Sequence, residues 1–184
     1  MARFDEGLAE ANQADGLTPS HATDFTIARI NYSMLRFDEA VAYGKRSLEK
    51  QDNLLAHFLL GFICTAQQKH DQAITEFKKA ADLGNNAAAL AALAYGYAMG
   101  GKKDKALKIL RQLERGHKGA RIVPYSIAAI YLALGHKDRA LALLEQDYEV
   151  NDNWMNQLKV DPVMDPLRSD PRFQALLRKM RFKK

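Results

Sequence analysis

The sequence predicts an all-α fold built of stacked helix pairs, and three observations support it. An aspartate, any residue and a tiny residue recur five times along the 184 residues, beginning at Asp5, Asp38, Asp71, Asp104 and Asp138. The copies follow one another at about 33 residues, and a nearly fixed period of that size is typical of stacked repeat proteins. In each of the last four copies, another small residue lies twelve positions before the tiny residue. Apolar residues around both markers follow helical spacing, and no strand pattern is found.

Each repeat therefore holds a first helix around the upstream small residue and a second helix after the aspartate. Gly100-Gly101 and Gly135 lie in the breaks between the two helices, as helix ends prefer. We expect each aspartate to cap the second helix through hydrogen bonds from free backbone N–H groups, which contributes about 1 kcal/mol. The small residues let helix backbones approach, and a larger residue would cost roughly 1–3 kcal/mol.

Two stretches carry a family resemblance: Leu60-Gly61…Ala73…Phe77…Ala80 and Leu93-Ala94…Tyr97…Ala106…Leu110. They resemble the tetratricopeptide repeat (TPR), a helix–turn–helix unit of about 34 residues with the pattern W-x₂-L-G-x₂-Y…A-x₃-F…P. The resemblance implies an all-α, right-handed superhelical TPR solenoid with a C-terminal capping helix. The first repeat matches less well, because Gly44 stands in a large-residue position and Asn31 in an aromatic one.

The repeats predict one solenoid domain over residues 1–184. It contains a half repeat at 4–20, full repeats at 21–53, 54–86, 87–120 and 121–154, and an extension with a capping helix at 155–184. The half repeat is a second helix without a first, so we expect a piece of a longer protein. Otherwise a partner or a second copy would cover its apolar face.

The C-terminal extension departs from the repeat. Trp154, Met155, Leu158 and Val160 indicate a fifth first helix that stops at Asp161-Pro162. Residues 161–171 contain three Asp-Pro pairs, which we expect to be extended or turned because a residue before proline disfavours the helical region. At the last pair, Asp170 suits an N-cap and Pro171 the first helical position, so a final helix should begin there.

The same extension, from Leu158 to Pro162 and from Asp165 to Phe173, resembles the closing segment of large bacterial TPR proteins. In those proteins the repeats follow a winged-helix DNA-binding, nucleotide cyclase or serine/threonine kinase domain. The resemblance implies that this chain is the interaction part of a bacterial regulator.

The charge distribution and the cysteine content indicate which partners and which cell compartment to expect. The net charge is +5, but the last seven residues hold five basic residues, and without them 22 basic residues face 22 acidic ones. We therefore expect a solvated basic helix end and no nucleic-acid binding by this chain itself. We expect no signal peptide and no membrane span, and the single cysteine, Cys64, fits a reducing compartment. These features favour a cytoplasmic protein.

No pattern of catalytic or metal-binding residues is found. The five histidines are scattered, Cys64 is interpreted as a small core residue, and turn and cap chemistry explains the Asp-Pro aspartates better than a calcium site does. The sequence thus predicts no enzyme, no cofactor and no metal.

In the TPR family the first helices line a concave groove, so the resemblance places the candidate groove on their exposed faces. The helix from Leu54 to Thr65 is apolar on nearly every side, so one side should line that groove. We expect an apolar peptide or an amphipathic helix as ligand, although these residues could instead pack between repeats. The candidates are Phe25, Arg29, Tyr32, Leu55, Phe58, Phe62, Tyr95, Met99 and Tyr125, together with Ile122.

The predicted function is a protein–protein interaction scaffold. Two alternatives remain open: self-association as a homodimer through the open N-terminal edge, or regulation in cis of an attached DNA-binding, cyclase or kinase domain.

Overall fold

The computed structural model describes residues 2–84, 86–116, 124–150 and 158–182, and all regular structure in these ranges is helical. The prediction of an all-α fold is confirmed. The α-helices are α1 (Ala2–Leu17), α2 (His21–Ser33), α3 (Phe37–Lys50), α4 (Leu54–Ala66), α5 (His70–Gly84), α6 (Ala87–Met99), α7 (Lys103–Glu114), α8 (Pro124–Ala133), α9 (Lys137–Val150) and α10 (Pro171–Phe182). A 3₁₀ helix spans Pro162–Leu167.

The helices belong to two compact units, Met1–Asn85 (unit 1) and Asn86–Lys184 (unit 2). In unit 1, α2 pairs with α3 and α4 with α5, while α4 also contacts α2 and α3, and α1 lies against α2. In unit 2, α6 pairs with α7 and α8 with α9, and α8 also packs on α6. The 3₁₀ helix contacts α8, and α10 contacts α9. First helices are thus α2, α4, α6 and α8.

The four turns within the pairs share one geometry. A residue with positive φ follows each first helix: Leu35 (60°), Gln68 (60°), Gly101 (71°) and Gly135 (87°). The next backbone N–H then returns to the helix, as from Arg36 to the Asn31 carbonyl at 2.9 Å. This is the usual left-handed helix end, which glycine adopts without strain. The predicted breaks at Gly101 and Gly135 are confirmed.

The predicted capping role of the repeated aspartate is wrong for α3 and α7. Their N-cap residues are Arg36 and Lys102, and neither side chain makes a capping hydrogen bond. The left-handed turn places this following residue, and not the aspartate, at the cap. Asp38 and Asp104 are exposed in the first helical turn, where their charge favours the positive end of the helix dipole.

Side-chain caps are instead found on the first helices. Ser20 accepts a hydrogen bond from the Thr23 N–H at 3.1 Å, and Asn53 accepts one from Ala56 at 2.8 Å. Asn86 does the same at the start of α6. These caps recur with the same period as the aspartates, so they form a second periodic signal that was not recognised in the sequence.

The small residues allow close helix contacts, as expected. Ala28, Ala94 and Ala128 are fully buried. A Cβ added to Gly61 would lie 2.5 Å from the Phe77 ring, so the α4–α5 contact requires glycine here.

A cluster of four charged side chains joins α1 to the first full repeat. Arg46 on α3 bonds to Asp15 on α1 and, at 2.6 Å, to the fully buried Asp24 on α2. Lys50 lies 2.7 Å from the other oxygen of Asp24. The Arg46 guanidinium lowers the pKa of the Asp15 carboxyl below its usual value.

The Asp-Pro region differs in part from the expectation. Asp161 is extended as predicted, but Asp165-Pro166 lies inside the 3₁₀ helix. The Asp161 carboxylate starts that helix by accepting the Val163 N–H at 2.9 Å. At the last pair, Asp170 accepts the Arg172 N–H at 2.8 Å, the N-cap role that we predicted. Trp154 and Met155 of the predicted fifth first helix lie outside the described residues.

Candidate binding site on the first helices

In unit 1, α2 and α4 supply the predicted groove residues. Leu55 is 54% exposed, Arg29 is exposed, and Phe25, Phe58 and Phe62 are half-buried. Tyr32 is buried and belongs to the core cluster of unit 1. We call the residues that reach solvent the unit 1 face: Phe25, Arg29, Leu55, Phe58 and Phe62.

Two aromatic rings of the unit 1 face pack on a buried phenylalanine. Phe58 and Phe62 lie one helical turn apart on α4, with ring centres 5.7 Å apart. Both rings meet Phe77 of α5 edge-on, with 6.2 Å between the ring centres of Phe58 and Phe77 and 5.1 Å between those of Phe62 and Phe77. Phe77 is fully buried. Such aromatic contacts contribute about 0.5–1.5 kcal/mol each beyond burial. The exposed ring edges therefore belong to a fixed surface.

In unit 2, the predicted groove residues lie differently. Tyr95 on α6 is buried, Tyr125 on α8 is half-buried, and Met99 is exposed. The Tyr125 hydroxyl donates a hydrogen bond to the Asp161 carboxylate. Ile122 lies outside the described residues.

Residues 158–170, the C-terminal segment, partly cover this face of unit 2, because their 3₁₀ helix contacts α8 and Asp161 bonds to Tyr125, while Met99 stays exposed. The segment buries four apolar side chains, those of Leu158, Val163, Met164 and Leu167. Arg168 stabilises its shape by donating hydrogen bonds to the carbonyls of Lys159 at 2.6 Å and Asp161 at 3.2 Å. The side chain of Arg168 also pairs with Asp165.

The electrostatics agree with this arrangement. Burial raises the pKa of the Asp161 carboxyl, against the opposing effect of the hydrogen bond from Tyr125. Burial and the charges of Asp161 and Asp165 together raise the pKa of Tyr95. Both tyrosines of unit 2 that the sequence assigned to a groove therefore lie near the acidic side chains of the C-terminal segment.

Two polar contacts were not predicted. Tyr125 and Asp161 are 36 residues apart, so no local spacing signals their hydrogen bond. The second is His57, which is buried between Asp52 at 2.8 Å and Glu76 at 2.5 Å. Its two carboxylates lie on opposite ring nitrogens, so they do not converge on one metal position.

Other chemistry is limited in the part of the chain that the structure describes. No group of three or more histidine, cysteine, aspartate or glutamate side chains in these ranges is placed to hold a metal ion. No described helix is both long and apolar enough to cross a membrane. Cys64 is half-buried, and burial raises the pKa of its thiol, which disfavours the nucleophilic thiolate.

Comparison with known proteins supports the fold. No model of a known protein family and no curated protein matches this chain. Among solved structures, TTC0263, a thermophilic TPR protein of Thermus thermophilus, is similar over 96% of this chain and 92% of its own, with a TM-score of 0.66 and 21% identity. YrrB, described as a TPR protein with an unusual peptide-binding site, is similar over 86% and 83%, with a TM-score of 0.53 and 17% identity. The chain therefore has the TPR fold.

Proposed function

We propose that this protein is an interaction scaffold that binds a peptide or a helical segment of another protein on the unit 1 face. The observation that carries the proposal is the exposure of Leu55 beside the half-buried rings of Phe58 and Phe62. A fixed apolar surface of this kind is typical of a binding site. The peptide-binding site of YrrB, a protein of the same fold, agrees with the proposal.

Leu55 offers the cleanest test. Peptides selected from a random display library would be titrated against the wild type and Leu55→Gln. We expect the substitution to weaken binding about tenfold, because a ligand would bury only the exposed half of Leu55, about half of the 1.5–3 kcal/mol that full burial of a leucine contributes. Truncation of Phe58 or Phe62 is less suitable, since it also removes contacts to Phe77.

Leu83→Gln is the matched control. Leu83 is 49% exposed and lies on α5, a second helix of the same unit, and the neutral replacement avoids any effect of the helix dipole. Binding should be unchanged in this variant. Equal affinities of the wild type and Leu55→Gln would exclude the unit 1 face as the binding site.

The wider role stays a proposal too. The resemblance of the C-terminal extension supports the proposal that this chain is part of a larger, cytoplasmic bacterial regulator. Sequencing the reading frame upstream of Met1 tests this proposal, and a frame without any effector domain would oppose it. Self-association through the N-terminal edge is the alternative. A monomer mass that does not change with concentration in light scattering would exclude it.

A further inference from the structure

Unit 2 shows what a first-helix face of this chain accommodates. The C-terminal segment approaches α8 with its Asp161 carboxylate on the Tyr125 hydroxyl. On either side of Asp161 in the sequence, Leu158, Val163, Met164 and Leu167 are buried. The seated segment thus combines apolar side chains with an acidic side chain between them.

The same repeat positions form the unit 1 face. Counted from the repeated aspartate, Tyr125 corresponds to Phe58 and Phe25, while Tyr95 corresponds to Phe62 and Arg29. In unit 1 these positions carry three phenylalanines and one arginine, and none of them is buried. The two faces therefore use matching repeat positions. In unit 2 a segment of the chain itself lies at these positions, whereas in unit 1 they reach solvent.

We propose that the unit 1 face binds a protein segment of the same chemistry, with apolar side chains flanking an acidic one, and that Arg29 pairs with this carboxylate. The inference rests on the proposed function and names its ligand class. In unit 1, phenylalanines occupy both Tyr125 positions and provide apolar contacts. Arg29 occupies a Tyr95 position, which in unit 2 lies near the carboxylates of Asp161 and Asp165, and there it binds the acidic group.

Arg29 is suited to this role. Its guanidinium is exposed on α2 and makes no hydrogen bond or ion pair with any residue in the described ranges. A guanidinium binds a carboxylate through two parallel hydrogen bonds, which gives both affinity and orientation. In contrast, Arg46 of the same unit is already paired with Asp15 and Asp24.

The C-terminal segment itself provides the probe. A labelled synthetic peptide of residues 158–170 would be titrated against the full chain by fluorescence anisotropy. We expect saturable binding that Arg29→Gln weakens roughly tenfold, the usual scale for one charge-assisted hydrogen bond. A peptide with asparagine at both Asp161 and Asp165 should lose the same factor and should not respond to Arg29→Gln. Arg36→Gln, at an exposed arginine in the turn before α3, is the matched control.

The outcomes separate this inference from the proposed function. Binding that is lost in Leu55→Gln but ignores Arg29 and the peptide aspartates would overturn the acidic ligand and leave the apolar site intact. If library peptides bind but the peptide of residues 158–170 does not, the acidic ligand is likewise overturned and the apolar site is left intact. If no peptide responds to Leu55, both proposals fail.

Two further measurements identify the location of the peptide. A response to Tyr125→Phe without a response to Arg29→Gln would mean exchange with the resident segment in unit 2, and would overturn the inference. A chain dimer that the free peptide dissociates would make a second copy the occupant, and would overturn the assignment to a separate partner. Monomeric wild-type chain with Arg29-dependent binding supports it.

Discussion

Units 1 and 2 are built from the same repeat but fill its shared positions differently. Where the two helices of a pair meet, unit 1 places Gly61 against Phe77, whereas the matching residues of unit 2 are Ala94 and Leu110. On the first-helix face, unit 1 presents phenylalanine edges to solvent, whereas unit 2 is covered by the C-terminal segment. The repeat therefore determines where helices meet, while the sizes of paired side chains and the presence of a cover determine what each unit exposes.

Weakening the contact of the C-terminal segment with unit 2 should have the largest effect on stability. Leu167 is fully buried in the 3₁₀ helix, so Leu167→Ala should lower the free energy of unfolding by about 2–5 kcal/mol. The same loss should free the C-terminal segment, which faster trypsin cleavage after the exposed Lys159 would reveal. Leu83→Ala in unit 1 is the control, with a change below about 0.5 kcal/mol because Leu83 is largely exposed. Unchanged cleavage in Leu167→Ala would contradict the covering role.

The Gly61–Phe77 contact tests the pairing of sizes. Gly61→Ala forces a methyl group against the Phe77 ring and should cost about 1–3 kcal/mol in urea unfolding. Combination with Phe77→Leu recreates the alanine–leucine pair of unit 2. We expect the double variant to be more stable than the sum of the two single losses predicts. Additive losses would mean that the two positions do not share one packing constraint.

The turns differ in a smaller way. Gln68 in unit 1 adopts a positive φ that costs a side-chain-bearing residue about 1–2 kcal/mol, part of which the greater chain entropy of glycine offsets. Gln68→Gly should therefore raise the free energy of unfolding by up to about 1 kcal/mol. Gly101→Ala in unit 2 should lower it by a similar amount through backbone strain alone, since no atom lies within 4 Å of the added methyl group. A stabilising Gly101→Ala would refute the backbone explanation.

What the sequence predicts correctly follows from the range of the interactions. Helices, turns and close contacts recur once in every repeat, so a pattern revealed them. The capping role of Asp38 was assigned wrongly, because a Schellman-type turn places Arg36 at the cap, a choice that depends on backbone geometry. The caps at Ser20, Asn53 and Asn86 were periodic but varied in residue type, which concealed them.

The candidate site was predictable only in part. Phe58 and Phe62 were assigned to a surface from the apolar character of α4, and this assignment stays a prediction. Their support by Phe77 and the contact of Tyr125 with Asp161 join separate helices, and no spacing within one helix encodes such contacts. Long-range packing of this kind needs the folded chain.

The smallest expected effects have opposite signs in the two units. In unit 1, Arg46 lowers the pKa of Asp15, so the stability that this carboxylate contributes is present above its ordinary pKa near 3.8 and is lost as the pH falls through the lowered value. In unit 2, burial raises the pKa of Asp161, so its contribution is complete below 3.8 and is lost as the pH rises through the raised value.

Two asparagine variants separate these contributions. Asp15→Asn should lose most stability relative to the wild type at neutral pH and least in acid. The amide of Asp161→Asn stays neutral at every pH. The stability of this variant relative to the wild type should therefore be highest at neutral pH and lowest in acid. Urea midpoints measured from pH 3 to pH 7 would show the two difference curves sloping in opposite directions. Parallel slopes would mean that the hydrogen bonds from Tyr125 and Val163, which favour the charged carboxylate, outweigh the burial of Asp161, and they would contradict its raised pKa.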